Sequence, residues 1–121
     1  MSGYPAKVRE LAWHHSGRYL ASGGGEGIMV WDCGGDGPAG TSPRILEGHT
    51  GRVTVLRYPT QGHILASGGQ DGQVFFWNAG KSTTALRQVS GGAPVTALQW
   101  NSTAQAVAFG CHDGTVGVAK S

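Results

Sequence analysis

A unit of about 40 residues occurs three times in this chain, and that repetition constrains the fold more tightly than anything else in the sequence. The middle copy reads LEGHTGRVTVLRYPTQGHILASGGQDGQVFFWN. Beside it stand VRELAWHHSGRYLASGGGEGIMVWD from Val8 and VTALQWNSTAQAVAFGCHDGTVGVAKS from Val95. Val8, Val53 and Val95 align without a gap, as do Trp13, Tyr58 and Trp100, and then Ser22, Ser67 and Phe109. The spacings are 45 and 42 residues. A period in this range marks a repeat architecture, in which each unit buries its apolar face only against its neighbour.

Each unit supplies short apolar segments of period two, separated by Gly-rich turns, and none keeps a helical spacing for long. The chain is expected to be all-β. In the middle unit the strands are expected at Val53–Tyr58, His63–Ser67, Gln73–Trp77 and Ala85–Val89. Pro59-Thr60-Gln61-Gly62 forms the first turn, and Asp71-Gly72 suits the tight hairpin between the second and third strands. The first unit has one residue fewer between Gly27 and Trp31. It is followed by CGGDGPAGTSP, residues 33–43, whose composition predicts a mobile surface loop before a strand at Arg44–Leu46. Counted this way the chain has 11 strands in one domain, with repeats at 4–32, 46–78 and 90–120.

Composition narrows the function classes. Charged residues make up 13% and the net charge is +2, too little and too scattered to suggest a nucleic-acid or membrane surface. The 22 glycines have no Gly-X-Y period and fall in turns. Cys33 and Cys111 fit neither a disulfide framework nor a zinc pattern. MSGYPAKVRE has no apolar h-region, and a reducing, cytoplasmic setting is expected.

Gly48-His49, the Asp71-Gly72 turn, Trp77-Asn78 and Trp31-Asp32 give the chain its family resemblance. From Val8 to Lys120 it resembles the WD-repeat (WD-40) β-propellers, rings of four-stranded blades around a central channel. The resemblance implies a buried hydrogen-bonded tetrad of His49, Ser67, Asp71 and Trp77 in the middle unit. An imidazole between a carboxylate and a hydroxyl, with an indole N–H as a further donor, would satisfy polar atoms of three strands together. The first unit retains Ser22 and Trp31, with Glu26 and Tyr4 in place of the Asp and His. The third retains Asp113, with Gly92 or Ala93, Phe109 and Ala119 at the other positions. The outer blades are therefore expected to be held less rigidly.

Three blades do not close a ring, since propellers have roughly four to eight. Two apolar sheet faces would be left open, and such faces mark association sites. Head-to-tail association of identical chains would cover both. Family rings mostly have seven or eight blades, about 51° or 45° apart; nine need about 40° and six about 60°, so three copies require the smaller change. A homotrimer of nine blades is expected ahead of a dimer of six. Only Met1–Lys7 precede the first strand, too few for a complete outer strand, so the third blade should lack its fourth strand. The chain could equally be the C-terminal part of a longer propeller, or a propeller fragment with no evolved partner.

Several side chains invite chemical readings. His14-His15 could chelate a divalent metal, but a solvent-exposed turn is the expectation because no third ligand has suitable spacing. Cys111-His112-Asp113 falls at the last hairpin and reads as a turn rather than a nucleophile with its base. Ser22-Gly23-Gly24-Gly25-Glu26-Gly27 is followed by a strand, not the helix a phosphate loop requires. No catalytic residue, metal or cofactor is implied. What remains is a binding or scaffolding module that self-associates and engages an unknown protein or peptide, since the family works mostly through protein contacts. Arg52 and Lys7, at equivalent positions before their first strands, are the candidate contact residues. The alternative is a small-ligand or metal site in the channel, where Glu10 and Arg57 are the charged residues.

Overall fold

The structure, a computed structural model, describes residues 10–14, 16–17, 19–23, 27–32, 44–60, 62–78, 85–103 and 105–120. Strands β1 (Glu10–Trp13), β2 (Tyr19–Gly23), β3 (Ile28–Asp32) and β4 (Arg44–Leu46) form one antiparallel sheet. A second contains β5 (Val53–Arg57), β6 (Leu65–Gly69), β7 (Gln73–Trp77) and β8 (Arg87–Ser90). The third contains β9 (Val95–Trp100), β10 (Ala106–Cys111) and β11 (Val116–Lys120). Strands pair in chain order within each sheet.

Three strands of the middle sheet differ in their bounds from the sequence expectation, the first only in ending at Arg57 rather than Tyr58. The second strand is Leu65–Gly69 rather than His63–Ser67, and the fourth is Arg87–Ser90 rather than Ala85–Val89. Ladder pairing accounts for both. Leu65 sits opposite Trp77, and Ser67, Gly68 and Gly69 continue the ladder against β7 and β5. Small residues with low strand propensity are thus carried into the strand by their neighbours' hydrogen bonds. The loop at 33–43 lies outside the described residues, as do Tyr4, Lys7, His15, Glu26 and Cys33.

The middle sheet is buried on both faces. Phe75 and Trp77 point toward the first sheet, into a cluster with Ala21, Ile28, Val30, Leu46, Val53, Leu56 and Leu65. Val74 and Phe76 alternate to the other side and join Val55, Ala66, Val95, Leu98, Val107, Phe109 and Ala119. That is why Val74-Phe75-Phe76-Trp77 reads as an unbroken apolar run where a half-buried strand would alternate. Gly68 lets the second and third sheets approach: a Cβ there would lie 2.6 Å from Val95 Cγ1. Gly23 does the same one sheet earlier, where a Cβ would be 3.0 Å from Val53 Cγ1.

Candidate functional site

The middle unit brings His49, Ser67, Asp71 and Trp77 into one chain of hydrogen bonds. Trp77 Nε1 donates to Ser67 Oγ at 2.8 Å, and Ser67 Oγ lies 2.8 Å from His49 Nε2. His49 Nδ1 is 3.0 Å from Asp71 Oδ2. The carboxylate also accepts the Thr50 N–H at 2.9 Å and the Gln73 N–H at 3.0 Å, which fixes the β6–β7 hairpin. Local geometry places these atoms. Gly72 takes φ +78° in the hairpin, and Gly48 leaves room for the Trp77 and Phe75 rings, whose atoms would be 3.0 and 3.2 Å from a Cβ there.

Electrostatics sets the protons along this chain. Burial lowers the His49 pKa from its ordinary value, and outweighs Asp71, which acts to raise it. Burial pushes the Asp71 carboxyl up, but the Gln73 and Thr50 N–H groups together with His49 hold it below the ordinary value. A neutral His49 then donates from Nδ1 to Asp71 and accepts the Ser67 hydroxyl proton at Nε2, leaving Ser67 Oγ free to accept from Trp77. The network ties two strands, β6 and β7, to their hairpin and to the loop before β5, rather than the three strands expected from the sequence.

This state has a pH signature. Because His49 takes up its proton less readily folded than unfolded, stability is complete above the ordinary value of 6.5 and falls as pH drops toward the lowered folded value. Asp71 adds a second loss below its ordinary value of 3.8. Unfolding free energies from urea denaturation between pH 8 and pH 5 should decline more steeply for the native chain than for His49→Gln. Parallel curves would contradict the neutral assignment.

The outer units are built differently. In the first, Trp31 Nε1 donates to Ser22 Oγ at 3.3 Å. In the third, Asp113 Oδ1 accepts the Thr115 N–H at 2.9 Å and shapes an exposed hairpin with Gly114 at φ +89°, as Asp71 does in its own. Among the described residues no polar chain continues from it to the positions of Ser67 and Trp77, which Phe109 and Ala119 occupy. Instead Phe109 stands where Ser67 does, and opposite it Gly117 replaces Phe75. A Cβ on Gly117 would lie 2.4 Å from Phe109 Cζ, so the ring has moved from the third strand to the second. Gly91, one residue before the expected Gly92-Ala93, packs on that ring, at 3.2 Å from a notional Cβ.

His14 overturns an expectation. It is buried rather than solvent-exposed, with its Nε2 2.8 Å from His63 Nδ1 and its ring edge-on to Tyr19 and Tyr58. Blade stacking brings the two turns together, so the side chain enters the seam between the first and second sheets. Burial, and next Tyr19, push the Tyr58 hydroxyl up to about 12 in the same seam. Among the described residues no group of three or more His, Cys, Asp or Glu could hold a metal. Cys111 is buried at the end of β10, and Asp113 belongs to the turn. Glu10 and Arg57, the charged residues expected to line the channel, pair with each other at 3.0 Å. Arg52 is exposed just before β5, where its carbonyl accepts the Gln70 N–H at 2.8 Å.

The two sheet faces expected to be left open are the outer faces of the first and third sheets, and the residues that line them are apolar and exposed. Leu11 and Trp13 are 59% and 56% exposed on one, and Val116 and Val118 are 76% and 69% exposed on the other. Leu56 and Leu98, the repeat equivalents of Leu11, are 0% and 4% exposed. The repeat alignment already contained this signal, because aligned positions should share burial.

Residues 1–32 and 40–78 match the family described as "WD domain, G-beta repeat". The chain belongs to the WD-repeat family. Among its relatives, the Periodic tryptophan protein 2 homolog of Caenorhabditis elegans is 28% identical over 91% of this chain and 12% of its own length. The Anaphase-promoting complex subunit cdc20 of Dictyostelium discoideum is 35% identical over 85% of this chain and 21% of its own length. Cell division cycle 20.6, cofactor of APC complex, of Arabidopsis thaliana is 34% identical over 82% and 24%. The chain therefore spans less than a quarter of each of these relatives. As WD-repeat blades, its three antiparallel sheets are stacked with β1, β5 and β9 as neighbouring first strands.

Proposed function

We propose that this chain is a non-catalytic protein-interaction and scaffolding module whose open blade faces close into a propeller ring by head-to-tail association of its own copies. The observation that carries this reading is the unequal burial of equivalent residues: Leu11 is 59% exposed where Leu56 and Leu98 are buried. Apolar positions that the fold buries twice within the chain are left open at its two edges, and exposed faces of this kind favour association. A heterologous contact covers both with one repeated junction. Three copies, giving nine blades, need the smaller change in blade angle; two copies give six. The interaction role is supported by relatives whose names place them in, or as cofactors of, the anaphase-promoting complex. Arg52, exposed beside the middle tetrad, remains the first candidate for contact with another protein.

Light scattering behind size exclusion, at several loading concentrations, tests this reading. A sharp mass of three times 12.5 kDa is expected, with two times 12.5 kDa as the six-blade outcome. A stable monomer at every concentration contradicts it.

A further inference from the structure

We propose that the two outer faces are complementary halves of one junction, and that the Trp13 indole of one copy seats in a pocket formed by Gln99, Ala106, Ala108 and Val118 of a second copy. This rests on the self-association reading and adds which side chain enters which site.

The chain contains two internal examples of the junction. Trp100, at the end of β9, crosses to the middle sheet, where its ring meets Phe76 edge-on at 5.8 Å between centroids. Its Nε1 donates to the Arg57 carbonyl at 3.0 Å. Tyr58, its equivalent one unit earlier, packs against the cluster that includes Ala21 and Val30 of the first sheet. On the middle sheet Trp100 thus meets Arg57 and Phe76, and Ala66 and Ile64 belong to the same apolar cluster it packs against. A shift of 42 residues carries these four to Gln99, Ala106, Ala108 and Val118. Those same four residues line an open cavity of about 310 Å³ on the outer face of the third sheet, together with Trp100 and Asn101. Ala106 and Val118 are smaller than Ile64 and Phe76, so this receiving site is roomier than its internal counterpart.

The knob is on the opposite edge. Trp13 aligns with Tyr58 and Trp100, ends β1, and is 56% exposed on the first sheet's outer face, with Leu11 beside it. Glycine packing gives an independent sign. Gly23, Gly68 and Gly110 are repeat equivalents, and the first two receive Val53 and Val95 of the next sheet. At Gly110 the nearest atom to a notional Cβ is Ala97 Cβ of the same sheet, 3.8 Å away. The hollow that takes a valine twice within the chain is open on the third sheet. An edge carrying the knob and an edge carrying the hollow favour a second copy over an unrelated protein, because one chain supplies both. In the junction Trp13 Nε1 would find the Gln99 carbonyl, as Trp100 finds that of Arg57.

Trp13→Ala removes the knob and Ala108→Leu fills the pocket; both sites are exposed in the isolated chain, so the fold should survive, as circular dichroism and urea midpoints would check. Each variant alone should weaken association about 30-fold or more, the scale of a truncated hot-spot tryptophan, and light scattering should read monomer where the native chain is assembled. Mixed one to one, they should form a two-chain species, because the intact Trp13 of one meets the open pocket of the other. An assembled native chain whose mass neither variant changes would overturn the pocket while leaving self-association standing. Loss of mass in both with no recovery on mixing would also overturn it. A native chain that is monomeric throughout would overturn both readings.

Discussion

Trp77→Ala is expected to cost about 3–5 kcal/mol, the range for removing a fully buried aromatic side chain. For a domain whose whole stability is about 5–15 kcal/mol, that would unfold much of the population at 37 °C. Two losses combine. The indole fills the cluster between the first and second sheets, against Leu46, Leu56 and Phe75, and is wholly buried. Its Nε1–H also begins the hydrogen-bonded chain through Ser67 and His49 to Asp71. Trp77→Phe separates these contributions. It keeps a ring in the cluster but withdraws the donor, and should cost about 1–2 kcal/mol beyond its smaller volume. Urea denaturation of the three proteins at pH 7.5 gives both differences. A Phe variant as unstable as the Ala variant would mean that the network matters more than the packing.

Gly68→Ala is expected to have the next largest effect, about 1–3 kcal/mol of destabilisation from overpacking. The added methyl would lie 2.6 Å from Val95 Cγ1 and 3.0 Å from Val55 Cγ1, so the second and third sheets must part. Neither valine can swing away, because both are buried in the cluster between those sheets. Gly110→Ala puts the same methyl at the equivalent place in the third sheet, where the nearest atom is 3.8 Å away. In the isolated chain it should be close to neutral. In an assembled ring it should meet the first unit of the next copy and raise the dissociation constant. Paired unfolding and mass measurements distinguish a substitution that harms the fold from one that harms only the junction. Equal destabilisation by both would argue against the equivalence of the two sites.

Much of the fold could be read before any coordinates. Period-two apolar segments and Asp-Gly turns located the strands because each ladder depends on local alternation and local turn chemistry. The tetrad could be located through family resemblance, since His49, Ser67, Asp71 and Trp77 hold fixed places in the repeat. Long-range stacking was less accessible. His14 looked like a turn residue, and its burial depends on Tyr58 and His63 of the neighbouring unit, 44 and 49 residues away. The Phe109 and Gly117 exchange was hidden for a related reason. Each residue alone looks like a lost tetrad position, and only the pairing of β10 with β11 shows a ring and a gap that compensate. The count of three blades already implies two open apolar faces, but that Leu11, Trp13, Val116 and Val118 line them follows only from comparing the burial of aligned residues across units.

The most direct test of closure through the two outer faces is hydroxyl-radical footprinting of the intact chain across a dilution series. Head-to-tail closure predicts that Leu11 and Trp13 on one face and Val116 and Val118 on the other become protected together, at the same concentration. Phe76 and Trp77 should stay protected throughout. Protection of one face without the other, or of neither while the mass shows an assembly, would contradict it.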